Sequence, residues 1–185
     1  MHKPFPDYAS VHTVVFDFDG VFTDNKIWVD QDGREIVRCD RSDGLAFDFV
    51  RAFQRRGHLV SEFFILSREA NQVVLARAKK LQLVCHHGIG DKLGFMTEYL
   101  AARLSDSADP FAGMVYLGND LNDLPLMRRA GYAVAPADAH PRVCEIAHLV
   151  MQQRGGEGFV RAFIERFLGI DQLTKEEIDE LISDR

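Results

Sequence analysis

Cysteine is scarce in this chain. Cys39, Cys85 and Cys144 are spread over 185 residues, an odd number with no close pair. That excludes a disulfide framework and the paired spacing of a structural zinc site, and leaves reduced, packed thiols. Long apolar runs are missing too, so no segment reads as a helix spanning a bilayer. The opening Met1-His2-Lys3-Pro4-Phe5-Pro6 lacks the apolar stretch of a signal peptide, and a cytoplasmic protein is expected. Positive charge is in deficit: 22 Lys and Arg face 28 Asp and Glu, a net charge of -6. A surface of that sign argues against nucleic acid as a partner. It leaves room for a small anionic ligand, because a bound cation reverses the local field. Repeats, low-complexity stretches and linker-like segments are also lacking, and the length suits one domain with one sizeable core.

What is present is an alternation. Thr13-Val14-Val15-Phe16 reads as a buried strand. Lys26-Ile27-Trp28-Val29 and Glu35-Ile36-Val37-Arg38 flank Asp32-Gly33 and read as a β-hairpin. Leu45, Phe49 and Phe53 mark one face of a helix. Further strands are expected at 63–66, 83–85, 114–117, 132–135 and 148–151. Helices are expected from Val73 to Leu81 and through Leu93, Met96, Leu100 and Leu104. Phe159, Phe163 and Phe167 put an apolar stripe on a helix after Gly158. The acidic tail, 171–185, has Thr174 and Glu177 at capping-box spacing, which predicts a short helix. Strands alternating with helices imply an α/β fold: a Rossmann-like, doubly wound, mostly parallel sheet with the hairpin as an insertion. Residues 1–170 then form a single domain. In such sheets ligands bind beyond the carboxyl ends of the strands, near the point where strand order reverses.

Reactive residue types fall at those ends. Asp17 and Asp19 close the first strand, and two positions apart on a strand their side chains share a face. Like charges held together need a shared proton or a cation, and Mg²⁺, which takes oxygen ligands, suits them. Alone, the pair also fits a solvated acidic strand end. Ser67 follows the second core strand, where a hydroxyl can meet a phosphate oxygen or cap the next helix. Lys92, after Gly88-Ile89-Gly90-Asp91, can hold a phosphate as a point charge or lie exposed at a helix start. Gly118-Asn119-Asp120 follows a later strand with Asp123 one turn on; it can complete a metal site or serve as loop and cap. Each signal is modest, but chance rarely sets all of them just past a strand or the turn after it.

That order resembles the four motifs of the haloacid dehalogenase-like hydrolases. Asp17-Phe18-Asp19-Gly20-Val21-Phe22-Thr23-Asp24 looks like the first, Ser67 the second, Lys92 the third and Gly118-Asn119-Asp120-Leu121-Asn122-Asp123 the fourth. The resemblance runs from about Val11 to Leu168. Arg41-Ser42-Asp43-Gly44, Ala137-Asp138-Ala139-His140-Pro141 and Arg154-Gly155-Gly156-Glu157-Gly158 look like the subgroup of 3-deoxy-D-manno-octulosonate 8-phosphate phosphatases. That subgroup includes the phosphatase domains attached to acylneuraminate cytidylyltransferases, which Leu66-Ser67-Arg68-Glu69 approaches more closely.

The resemblance implies a Mg²⁺-dependent phosphatase acting on a keto-sugar acid phosphate of octulosonate 8-phosphate or nonulosonate 9-phosphate type. By it, Asp17 is the nucleophile, Asp19 the acid and then base, and Ser67 and Lys92 hold phosphoryl oxygens. The metal ligands are Asp17, Asp19 and either Asn119 or Asp120. Arg41, Asp43, Arg68, Arg154 and Gly156 approach the substrate. Only 47 residues separate Asp19 from Ser67 and 24 separate Ser67 from Lys92, so neither interval holds a cap domain besides its core elements. The subgroup answers with homotetramers whose members cover one another's sites, and the hairpin around Asp32-Gly33 is the expected contact. Two other readings are a weakly active or inactive tetramerisation module related to acylneuraminate cytidylyltransferase, and a phosphotransferase, which the lack of a cap disfavours.

Overall fold

The computed structural model describes residues 3–184; Met1 and His2 of the opening segment and Arg185 of the tail lie outside them. In chain order the elements are β1 (Thr13–Phe16), β2 (Thr23–Val29), β3 (Glu35–Cys39), α1 (Asp43–Arg55), β4 (Glu62–Leu66), α2 (Gln72–Leu81), β5 (Val84–His86) and α3 (Lys92–Ala101). They continue as β6 (Met114–Leu117), α4 (Leu124–Arg129), β7 (Tyr132–Ala135), α5 (Pro141–Ile146), β8 (Leu149–Val150), α6 (Phe159–Leu168) and α7 (Lys175–Ser183).

Six strands form one parallel sheet in the order β5-β4-β1-β6-β7-β8. The four central strands, buried on both faces, are apolar at nearly every position. Successive side chains feed opposite layers. Val14, Phe16, Phe63, Ile65, Val115 and Leu117 pack with α1, α2 and α6. Val15, Phe64, Leu66, Met114 and Tyr116 pack with α3, α4 and α5. The chain leaves β1 toward β4 on one side and later returns to its other side through β6. The order therefore reverses at β1, and the space beyond the ends of β1 and β6 is where this architecture opens a cleft.

β2 and β3 make a separate antiparallel pair with a register shift between Thr23 and Ile27. The strands run out from the body, leaving Ile27, Trp28, Val29 and Ile36 each more than half exposed. Between β1 and β4 the chain forms only this hairpin and α1, and between β4 and α3 only α2 and β5; no cap domain occurs among the described residues. α7 starts at Thr174, whose side chain accepts from Glu177 N while Thr174 N donates to Glu177 Oε2, and it docks through Leu181. Among the described residues no helix is long and apolar enough to cross a membrane.

Candidate active site

β1 ends at Phe16, so Asp17 and Asp19 lie past the strand rather than on it. The expected strand-face pairing is thus corrected: the chain turns, and each carboxylate is aimed by its own contacts. Asp17 N still donates to Leu117 O at 2.9 Å, continuing the ladder by one bond. Phe18 turns inward between the two acids and stacks on Phe22, which packs on Phe16 and Phe47. Thr23 Oγ1 accepts from Gly20 N and Asn25 N, both at 3.1 Å. Gly20, at φ 73°, backs onto Asn119 so closely that a Cβ there would lie 2.0 Å from the amide nitrogen. Only glycine permits that approach.

Asp17 is almost fully buried, and its Oδ1 accepts from Phe18 N at 2.7 Å. Lys92, the first residue of α3, is buried behind it rather than exposed at a helix start. Its ammonium lies 2.8 Å from Asp17 Oδ1, 2.7 Å from Asp123 Oδ1 and 3.1 Å from the Tyr116 hydroxyl. Tyr116 in turn donates to Asp123 at 2.6 Å, and Asp123 Oδ2 accepts from Asn119 N and Asp120 N. One ammonium is thus shared by two buried carboxylates. Burial and the Asp123 charge push Asp17 up to about 8 against the pull of Lys92. Burial alone would lower Lys92, but its two carboxylate partners outweigh it and the net shift is upward. Burial, helped by Glu69 and Glu35 and opposed by Lys92, raises Asp19 to about 6.

A cleft of about 270 Å³ opens in front of this network, lined by Asp17, Asp19, Asn25, Ser67, Arg68, Glu69, Asn119, Asp120 and Asn122. Ser67 is buried, and its Oγ accepts from Glu69 N; the residue capping α2 is Asn71, so Ser67 does not serve as that cap. Asp120 is exposed and occupied as a cap, accepting from Leu121 N at 2.7 Å. Asn119 is buried, and its amide oxygen has no hydrogen-bond partner. A buried carboxylate pair short of one positive charge and an unpartnered amide oxygen nearby fit a hard cation. No group of three His, Cys, Asp or Glu side chains able to hold a metal occurs among the described residues. The cleft residues Asp17, Asp19 and Asn119 therefore offer a sparse set of donors, all oxygen.

The other expected substrate contacts are dispersed within the single chain. Arg68 lines the cleft. Arg154 borders an adjoining cavity, and Arg41 and Gly156 border a third. Asp43 is not brought to the cleft: it is 1% exposed and faces Arg77 at 3.6 Å. The glycine segment has a different local task. A Cβ on Gly155 would lie 2.0 Å from Gly20 O, and one on Gly156 2.4 Å from Asp24 N. Its backbone therefore lies directly on the loop that carries Asp17 and Asp19, with Gly156 N donating to Val21 O.

Residues 104–163 match the family described as haloacid dehalogenase-like hydrolase. The chain is 30% identical over 161 residues to the 3-deoxy-D-manno-octulosonate 8-phosphate phosphatase of Yersinia pestis, covering 86% of this chain and 81% of that one. The chain belongs to the haloacid dehalogenase-like hydrolases. A structure from Streptomyces avermitilis described as a hydrolase of this family superposes with TM-score 0.78 at 36% identity, covering 90% of this chain and 96% of that one. The Moraxella catarrhalis 3-deoxy-D-manno-octulosonate 8-phosphate phosphatase, solved with magnesium ion, phosphate ion and KDO, superposes with TM-score 0.76 over 94% and 92% of the chains. At 23% identity that likeness carries the fold alone. As a member of the family with relatives named phosphatases, the protein is a phosphoric monoester hydrolase, and a non-catalytic module is not favoured.

Sequence reading within the hydrolase motifs left three residues without their part. Asp123 is seen there only as one of an acidic cluster, whereas it is fully buried and orients Lys92. Its signal is its place in the fourth motif. Tyr116 sits in an apolar strand run, and nothing local marks a hydroxyl that bonds an acid seven residues on. Asn25, which lines the cleft with φ 60°, carries no motif signal.

Proposed function

We propose that this hydrolase is a Mg²⁺-dependent phosphatase for the phosphate monoester of a keto-sugar acid, of the octulosonate 8-phosphate or nonulosonate 9-phosphate type. The observation that carries the reading is Asp17: a buried carboxylate at the floor of a polar cleft, held by Lys92, with Ser67 and Asn119 on the same walls. The substrate class is supported by the name of the Yersinia pestis relative.

In the first step an Asp17 oxygen attacks phosphorus, the bond from phosphorus to the sugar oxygen breaks, and Asp19 gives its proton to that departing oxygen. In the second, water attacks the aspartyl-phosphate, Asp19 takes the water proton, and inorganic phosphate leaves with Asp17 restored. Ser67 and Arg68 hold phosphoryl oxygens. Lys92, bound to Asp17 and Asp123, acts on the nucleophile: it keeps the carboxylate oriented and favours its anionic form. Asp17, Asp19 and the Asn119 amide oxygen would hold Mg²⁺, which when bound would supply the charge that lets one anion approach another. A homotetramer built on the hairpin, in the cytoplasm, completes the reading, with neighbours covering the open cleft.

The test is hydrolysis of a panel of sugar phosphates with and without Mg²⁺, with Asp17→Asn as control. Turnover of a sugar-acid ester that needs Mg²⁺ and vanishes in Asp17→Asn is expected. Equal activity in the variant removes Asp17 as nucleophile.

A further inference from the structure

A second cavity, of about 450 Å³, adjoins the first. Asn25 and Asn119 line both, so the two spaces meet at a pair of amides. Asn25 is held there by local geometry. Its φ of 60° is a left-handed conformation that Asn tolerates better than most residues. It sits where the register of β2 and β3 shifts, a bulge that re-aims a side chain, and Thr23 Oγ1 accepts its amide proton.

The cations around the second cavity differ in how far they are committed. Arg154 is shared between Asp138 at 3.5 Å and Glu157 at 4.0 Å. Lys26, next to Asn25, lines the cavity and its ammonium has no carboxylate partner among the described residues. A free ammonium over a polar cavity that communicates with a phosphate-sized cleft is placed to receive the far end of a bound ester.

We propose that the second cavity is the leaving-group pocket, that the ester passes between Asn25 and Asn119, and that Lys26 is a specificity-determining residue that pairs with a carboxylate on the leaving group. This rests on the phosphatase reading of the cleft and deepens it. The two amides and the carboxylates of Asp138 and Glu157 suit hydroxyl groups, which both donate and accept. Lys26 adds the discrimination: a sugar acid gains a charge-assisted contact there, and a neutral sugar gains nothing.

The test compares kcat and KM of the parent, Lys26→Gln and Lys26→Arg on 3-deoxy-D-manno-octulosonate 8-phosphate, a hexose 6-phosphate and p-nitrophenyl phosphate. In Lys26→Gln the preference in kcat/KM for the acid ester over the hexose ester falls about tenfold, carried by KM, as expected for one charge-assisted bond. Lys26→Arg keeps most of the preference. An unchanged preference in Lys26→Gln, or equal losses on all three esters, overturns the inference. Calorimetry with free 3-deoxy-D-manno-octulosonate needs no turnover: binding about tenfold weaker in Lys26→Gln supports the pocket, and equal binding, or none by the parent, overturns it. Failure of the parent to hydrolyse any of the esters counts against the phosphatase reading, and calorimetry still decides the pocket.

Discussion

Lys92 is shared by Asp17 and Asp123, which pair with no other cation among the described residues, and its value to the protein follows from that. Lys92→Met leaves Asp17 and Asp123 buried without their counter-charge, and a loss of about 3–5 kcal/mol is expected in urea unfolding. Adding Asp123→Asn should return part of that loss, because one of the orphaned charges is then gone. Asp43 gives a second prediction. Burial raises it to about 7 against the pull of Arg77, so the folded state binds this proton more tightly than the unfolded chain, where an Asp titrates near 3.8. Its contribution is greatest below that lower value and is lost as pH rises toward 7, by on the order of 4 kcal/mol in full. Thermal melts across this window should show Asp43→Asn gaining on the parent as pH rises; parallel profiles would count against it. The motif spacing made Asp17, Ser67 and Lys92 legible as candidates. What Lys92 holds was not legible, because Tyr116 and Asp123 reach it across the fold, from positions 24 and 31 residues away.

At the scale of elements, the long periodic segments were the readable ones. β1, the hairpin, α2 and α6 stand where apolar pattern put them, and so does the capping box of α7. α4 and α5 did not announce themselves, since six residues each are too few to display a helical period. They start instead from local devices, a proline in the first turn of each and the His140 side chain accepting from Arg142 N. The strand-face reading of Asp17 and Asp19 failed because the strand stops one residue earlier, where Phe18 leaves for the core. The segment from Arg154 to Gly158 was readable as a resemblance, yet its packing was not, because glycine records close approach without naming the partner. Gly155→Ala tests that packing. The added methyl must displace Gly20 and with it the wall carrying Asn119, and kcat/KM on p-nitrophenyl phosphate should fall by on the order of 10²-fold while cooperative unfolding persists. Full activity in Gly155→Ala would show that the loop tolerates the shift.

For the whole molecule, the open cleft and the apolar hairpin are complementary facts. Ile27, Trp28, Val29 and Ile36 form an exposed apolar group on an element with little backing of its own, the kind of patch a partner surface covers. With the parent expected to scatter light as the proposed tetramer, Trp28→Asp and Ile36→Asp together should give a monomer with reduced turnover of the sugar-acid ester. A monomeric parent at working concentration would end the tetramer proposal. The sheet order carries one more consequence. Asp17 is made well before β6, with which its strand pairs, Thr13 opposite Met114, and before Gly155 and Gly156, which clamp its loop. During synthesis Asp17 therefore emerges long before its surroundings. A ribosome-bound chain has no working site until the segment through Gly158 has cleared the exit tunnel, and catalytic activity becomes a reporter of that segment's emergence.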